Sequence, residues 1–531
     1  MGIPSYFSYI VKNHTTLIKK ITNTNIEVNN FYLDCNSIIY DCVHSINFAT
    51  ITNSDFDAII YAVCNKIDEY ILLIKPDNKI YIAFDGVAPV AKLDQQRSRR
   101  YKSLYQNKIS KSIFKDTKAD PWNTTAITPG TQFMNKLNEY IIKKYVHVSK
   151  YGVQKIIISA SNNYGEGEHK LFQYIRDFPE HANEITVIYG LDADLIMLSI
   201  NHLPICKQIY LFRETPHFIK SIQVDLEPNE SYIIDIPELA KVITIDMNNG
   251  EELTNKQQKN RIYDYIFLCF FLGNDFMPHF PSVNIRTGGV DKMLAAYKST
   301  IGNTNENLTD GTVIFWKNVK KLVQYLASQE EENLQKEIKL RNKYDYHNIP
   351  NETPEDVWKK FESTPIYNRN LEKFINVSKP GWEKRYYKCL FDMEINDLRR
   401  KQVCINYLEG LEWTMKYYTS GCPNWRWSYH YYYPPLLSDL LEHIPYFETE
   451  FVKTVPPCPV SELVQLCYVL PKQSLTLLPK KLYDNLVKHH NEWYNSDCEF
   501  IWAFCKYFWE SHVKLPHIDI NELETFVQLN S

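Results

Sequence analysis

The sequence predicts an α/β fold: a mostly parallel sheet flanked by helices, followed by a mainly helical second region. Three observations predict it. Short apolar runs of strand character alternate with helical stretches from Phe31 to Phe212. This alternation is the signature of parallel βαβ units. Several of the runs end in an acidic residue. The clearest, Ile185–Leu198 (ITVIYGLDADLIML), passes from five strand residues through Gly190 to Asp192 and Asp194. Carboxylates at the C-terminal edge of a parallel sheet stand where α/β folds bind ligands. An Asp at a strand end also serves as a turn or helix cap, so one Asp-x-Asp leaves both readings open.

In chain order, a short helix is predicted at about Tyr6–Ile10, then a strand, Phe31–Leu33, that ends in Asp34 and Asn36. Helices follow from Ser37 and from about Asp55 to Leu73. The strand Lys79–Phe84 delivers Asp85-Gly86. The next stretch, VAPVAKLDQQRSRRYKSLY, places Lys92, Gln96, Arg99 and Arg100 at i, i+4, i+7 and i+8, which is one stripe of a helix. Arg97 and Lys102 add charge beside it. Residues 103–126 read as a surface excursion. Thr128-Pro129-Gly130 opens a helix at about Thr131–Tyr145.

Lys155–Ser159 is a third strand, and its loop, SASNNYGEGEHK, carries Glu166, Glu168, His169 and Lys170. The Gly-x-Gly there is no dinucleotide fingerprint, because Lys170 stands where the third Gly belongs. With no Walker A pattern either, no nucleotide cofactor is expected. A helix over His169–Asp177 and a strand Gln208–Phe212 complete the alternation. Arg261–Leu272 is an apolar helix ending in Gly273-Asn274-Asp275. A carboxylate at a helix C-terminus is unfavourable, which predicts a compensating cation. Residues 329–347 form a charged helix, a connector or simply a solvated face. From 380 the chain is rich in Trp, Tyr and Pro, densest at WRWSYHYYYPP. The predicted division is therefore 1–300, an α/β region; 301–379, a helical connector; and 380–531, an aromatic-rich region that completes the site.

The totals narrow the function. The 531 residues can bury a large core. With 44% hydrophobic and 23% charged residues, and 38 Tyr against 16 Gly, the composition is that of a folded protein. A net charge of −4 excludes a globally basic coat, so nucleic-acid contact requires a local basic patch. The 12 Cys form no Cys-x-x-Cys, which points to a reducing compartment rather than a zinc ribbon or disulfide scaffold. The N-terminus lacks a signal-peptide pattern. MGIPSY has Tyr6 where N-myristoylation takes Ser or Thr, and the densest apolar run, Tyr265–Leu272, is too short for a bilayer. A cytoplasmic protein, likewise expected to be a monomer, is predicted, without a membrane partner. The absence of a long Lys/Arg block leaves the nucleus open.

Seven acids, Asp34, Asp85, Glu166, Glu168, Asp192, Asp194 and Asp275, fall at strand or helix ends. Two carboxylates 4 Å apart repel by about 4 kcal/mol at an effective dielectric near 20. If the sheet gathers all seven, cations must neutralise them. An all-oxygen set suits Mg²⁺, with Mn²⁺ as a substitute. Two such ions support phosphodiester hydrolysis. The stripe Lys92/Gln96/Arg99/Arg100 would hold a phosphate. The combination describes a nuclease that reads an end.

These stretches, MGIPSYF, YLDCNSIIYDC, YIAFDGVAPVAKLDQQRSRRY, GEGEHK, IYGLDADLIML and DYIFLCFFLGNDFMPHFP, with GWEKRYYK, NYLEGLEWTMKYYTSGCPNWRWSYHYYYPP and WESHVKLPHIDINEL further on, resemble the Xrn family of 5′→3′ exoribonucleases. The resemblance covers nearly the whole chain. It implies a PIN/flap-endonuclease-like core, two Mg²⁺ ions on the seven acids, and a 5′-monophosphate pocket from Lys92, Gln96, Arg99 and Arg100 with Asn36 nearby. It implies processive hydrolysis of single-stranded RNA, with the terminal base stacked between Tyr40 and a tryptophan, Trp425 or Trp427. Stacking is worth about 1–3 kcal/mol per base and tolerates any sequence. Tyr40 stands where the family has His and cannot carry a proton near neutral pH, so rate or translocation should differ. The chain stops soon after HIDINEL, so docking through further C-terminal modules is not expected, and the compact form matches a nuclear-type or viral member. Two other readings remain at this stage: a flap endonuclease on DNA, and a non-catalytic RNA-end binder.

Overall fold

The computed structural model describes residues 5–24, 26–46, 56–115, 122–251, 253–346, 350–495 and 497–531. The first four residues of MGIPSYF and Asp55 lie outside them. Seven strands form one sheet: β1 (Ile18–Lys20), β2 (Asn30–Asp34), β3 (Lys79–Ala83), β4 (Lys155–Ser159), β5 (Ile185–Tyr189), β6 (Gln208–Glu214) and β7 (Ser231–Asp235), in the order β1-β7-β6-β5-β2-β3-β4. Strands β4, β3, β2, β5 and β6 are parallel; β7 and β1 are antiparallel at one edge. All five residues of β2 and of β3 are buried, as covered parallel strands require, which explains why they read as continuous apolar runs. The register pairs Asp34 with Ala83 and Ala83 with Ser159, so these strands end level and their loops open at one edge.

Helix α1 (Tyr6–Asn13) precedes the sheet, the crossovers carry α2 (Asn36–Ser45), α3 (Asp57–Ile74), α4 (Val90–Phe114), α5 (Gln132–Lys144), α6 (Gly167–Asp177) and α7 (Asp194–His202), and α8 (Ile236–Met247) and α9 (Asn255–Phe270) follow it. Side chains of α2, α3 and α5 pack on one sheet face. Those of α1, α6, α7, α8 and α9 pack on the other, and the long helix Asp397–Thr419 joins this second core through Tyr407, Leu411, Trp413 and Tyr417. After β2 the chain moves to β3 and β4 on one side, while β5 lies on the other side of β2. The C-terminal ends of β2 and β5 therefore flank the crevice where such sheets bind ligands.

Two expectations are corrected. Residues 103–114 continue helix α4 rather than forming a surface excursion; residues 116–121 lie outside the described set. The helix persists because Tyr105 packs its ring 4.8 Å from Phe500 and 5.6 Å from Phe508, a partner remote in sequence. The charged helix, Glu330–Asn342 in the structure, is not a solvated face; residue 347 lies outside the described residues. Its Glu330, Glu337 and Arg341 are buried. Arg341 donates to both carboxylate oxygens of Glu372, at 2.7 and 2.9 Å, and Glu330 accepts from the backbone N–H of Leu437 at 2.9 Å. Among the described residues, no helix is long and apolar enough to cross a membrane.

Candidate active site

Each acid reaches the C-terminal sheet edge by a local device. Asp34 is the last residue of β2, and Asp85 follows β3 by two residues. Glu166 caps the N-terminus of α6 and Glu168 lies in its first turn; a carboxylate there meets the positive end of the helix. Asp194 opens α7 in the same way, and Asp275 follows the turn after α9. Asp34, Asp85 and Glu168 each present an oxygen within 4.8 Å of the others, and Glu166 and Glu168 do the same with a ring nitrogen of His169.

Burial raises the pKa of Asp34, and the charges of Asp85, Asp192 and Asp194 raise it further. Glu168 is raised by burial, then by Glu166, Asp34 and Asp194. Burial pushes Asp194 up to about 6. Asp34, Glu168 and Asp194 are thus each raised by neighbouring acids at this edge. Asp34 Oδ1 and Asp194 Oδ1 are buried and accept no hydrogen bond among the described residues. Buried carboxylate oxygens left without donors are costly, and an acidic cluster of hard oxygens fits a divalent cation.

The structure places the basic stripe in two environments. Lys92 lies inside the acid cluster, its Nζ 2.5 Å from Glu166 Oε1 and 2.7 Å from Asp275 Oδ2. Burial works against the Lys92 charge, but Asp275 and Glu166 outweigh it and raise its pKa. Burial likewise works to raise Asp275, and Lys92 overcomes it and holds that carboxyl below its ordinary range. This is the cation that the helix-end carboxylate called for. One to two turns further along α4, Gln96 Oε1 and Arg100 Nη1 are buried without partners among the described residues. Arg100 Nη2 donates to Thr128 Oγ1 at 2.6 Å. Burial lowers the Arg100 pKa to about 10, with the Tyr40 hydroxyl acting in the opposite sense. Arg99 is half-buried on the same helix.

Asn36 faces Asp85 directly. Its Nδ2 donates to Asp85 Oδ2 at 2.6 Å, and its Oδ1 accepts from the Asp85 backbone N–H at 3.1 Å. Gly167 N–H donates to Asp85 Oδ1 at 2.7 Å, so both oxygens of Asp85 are oriented. Trp425 is buried at the start of α4: its carbonyl accepts from Val90 N–H at 3.0 Å and its ring meets Tyr164 edge-on at 5.2 Å. Trp427 stacks on Trp413 at 5.1 Å and donates from Nε1 to Glu409 at 3.3 Å, which ties it to the aromatic core. Tyr40 is half-buried against the α2–α3 face. The structure does not bring Tyr40 and either tryptophan into ring contact.

Sequence reasoning missed Tyr417 and Arg213, and missed the roles of Arg97 and Lys102, which it placed only as charge beside the stripe. Tyr417, on the long helix, donates its hydroxyl to Glu166 Oε2 at 2.6 Å across 251 residues. Arg213 on β6 donates to the Leu191 carbonyl at 2.7 Å and lies 3.7 Å over the Phe7 ring, fixing the loop that holds Asp192. Arg97 donates to the carbonyls of Pro516 and Trp493, and Lys102 to those of Trp509 and Ser511; these two cations fasten the second region to α4. No local pattern marks these contacts, since each partner lies on another element, from 22 to more than 400 residues away. Only His169 had a signal, the GEGEHK string itself.

Comparison with known proteins adds an independent line. The pattern of the XRN 5'-3' exonuclease N-terminus matches residues 1–215, and that of the Xrn1 helical domain matches residues 255–373 and 351–530. The chain is 28% identical to the 5'-3' exoribonuclease 2 homolog of Drosophila melanogaster, over 98% of this chain and 70% of that protein. It is 25% identical to 5'-3' exoribonuclease 2 of Arabidopsis thaliana, over 98% and 66% respectively. It is 26% identical to 5'-3' exoribonuclease 1 of Saccharomyces cerevisiae, where it spans 98% of its own length and 43% of the relative's.

Proposed function

The chain belongs to the XRN 5'-3' exonuclease family, and on that premise we propose that it is a 5′→3′ exoribonuclease that removes nucleotides one at a time from single-stranded RNA bearing a 5′-monophosphate. The observation that carries this reading is the juxtaposition of two groups of unsatisfied atoms. Carboxylate oxygens without donors, on Asp34 and Asp194, lie at the sheet edge, and a guanidinium nitrogen without an acceptor, Arg100 Nη1, lies on the adjoining helix, all counted among the described residues. The first group calls for cations and the second for an anion.

Asp34, Asp85, Glu166, Glu168, Asp192, Asp194 and Asp275 would hold two Mg²⁺ ions. When bound, such ions lower the pKa of an attacking water and neutralise charge on the phosphodiester. Asn36 and Gly167 keep Asp85 pointed into the cluster. Lys92, drawn between Glu166 and Asp275, supplies positive charge at the boundary between the cluster and the phosphate socket. Gln96, Arg99 and Arg100 hold the terminal phosphate, with the Arg fork matching phosphate oxygens. Breaking the P–O3′ bond at the first linkage releases a nucleoside 5′-monophosphate. The phosphate stays on the next nucleotide, so each product presents the end the socket reads. A socket sized for one phosphate rejects a cap or triphosphate. A stacking pair of Tyr40 with Trp425 or Trp427, a monomeric state, independence of a nucleotide cofactor, and residence in the cytoplasm complete the proposal.

The test is an incubation of 3′-labelled RNAs carrying a 5′-monophosphate, triphosphate, cap or hydroxyl, with Mg²⁺. The expected result is decay of the monophosphate species alone, in single-nucleotide steps, and none in chelator. Equal decay of all four would remove the end-reading part. Internal cutting of a forked DNA, with RNA untouched, would overturn the whole.

A further inference from the structure

Among the contacts that cross from the second region to the acid cluster, one donates a hydrogen bond to a carboxylate of the cluster from deep burial. Tyr417 Oη lies 2.6 Å from Glu166 Oε2, while Lys92 Nζ lies 2.5 Å from Glu166 Oε1. The two oxygens of Glu166 are thus held from opposite regions of the chain. The phenol is itself fixed. Its ring stacks on the His169 imidazole, with centroids 3.7 Å apart and planes 22° from parallel. On its other sides it meets Trp413 at 4.8 Å and Phe276 at 5.4 Å, and Tyr417 is only 3% exposed. His169 sits three residues after Glu166 on the first turn of α6, so helix and phenol lock one another.

We propose that Tyr417 is a positioning residue for divalent-cation binding: its hydroxyl sets the rotamer of Glu166, so that the second region completes the ion site without contributing a ligand. The inference rests on the reading of the acid cluster as a cation site. A carboxylate on a helix cap has several accessible rotamers, and selecting one before the ion arrives removes part of the cost of binding. A partner that orients a ligand in this way commonly accounts for 10–100-fold in metal affinity when removed. Lys92 cannot substitute for Tyr417, because its ammonium is shared with Asp275.

The test measures Mn²⁺ binding by electron paramagnetic resonance on the full chain, without RNA. Tyr417→Phe keeps the stacked ring and removes only the donor. The expected result is Mn²⁺ affinity at least about tenfold weaker than wild type, with the metal-free melting temperature within a few degrees of wild type. In a Glu166→Gln background, adding Tyr417→Phe should change affinity less than twofold. Unchanged affinity in the single variant, or an equal loss in both backgrounds, would overturn the assignment while leaving the cation site standing. Absence of Mn²⁺ binding by the wild type would overturn both.

Discussion

The Lys92 ammonium lies 2.7 Å from the Asp275 carboxylate although 183 residues separate them. The pair joins the start of α4 to the turn after α9, and Glu166 is the third member. A buried cation among acids is both a counter-charge and a structural tie. Removing one member of such a set leaves its partners charged and unpaired.

Replacing Lys92 by Met should therefore destabilise the metal-free protein by about 3–5 kcal/mol. Mn²⁺ should raise the melting temperature of the variant more than that of the wild type, because the ion restores the missing charge. Thermal denaturation with and without Mn²⁺ measures both effects. A variant as stable as wild type in chelator would show that the cluster tolerates its own repulsion.

Asp194 fixes the sign of a pH dependence. Burial holds its folded pKa at about 6, above the value of about 3.9 for a free Asp. The folded state then binds the proton more tightly than the unfolded one. This contribution is fully present below pH 4 and is lost as pH rises through 6, amounting to roughly 3 kcal/mol at most. Metal-free Asp194→Asn should lack this decline and exceed wild type in stability at pH 7, while losing RNA hydrolysis. Urea titrations between pH 4 and 7 decide the point.

Gly167 admits no side chain. A Cβ there would stand 2.5 Å from Asp34 Oδ1 and 3.4 Å from Asp85 Oδ1. Gly167→Ala should push Asp34 aside, costing about 1–3 kcal/mol of stability and, by misplacing a reacting group, about 100-fold in hydrolysis rate. Rates at saturating Mg²⁺ separate displacement of the carboxylate from simple loss of folded protein, which circular dichroism monitors.

Arg100 tests the phosphate socket. Its Nη2 is committed to Thr128 while Nη1 is buried without a partner among the described residues. Arg100→Met should reduce the preference for a 5′-monophosphate over a 5′-hydroxyl end about 10- to 100-fold, the value of one charge-assisted hydrogen bond of roughly 1.5–3 kcal/mol. Competition between the two RNAs in one reaction reads the ratio directly, and an unchanged ratio would place the socket elsewhere.

The sequence by itself determined the five parallel strands, the α/β class and the acids at their ends, but not the antiparallel edge strands Ile18–Lys20 and Ser231–Asp235. These are local properties: a buried parallel strand must be apolar throughout, as in Phe31–Leu33 and Ile80–Ile82, and the first polar residue after it marks the edge. It also determined that Lys92, Gln96, Arg99 and Arg100 share a helical stripe, because spacing alone fixes a face. Only the tertiary structure decided what each face meets. Lys92 entered the acid cluster, Arg97 and Lys102 capped carbonyls of the second region, Arg341 of the charged helix paired with Glu372, and Tyr417 reached Glu166. A charge or phenol has the same local signature whether it points to water or to a partner hundreds of residues away. The choice is made by packing, which leaves no periodic trace in the chain.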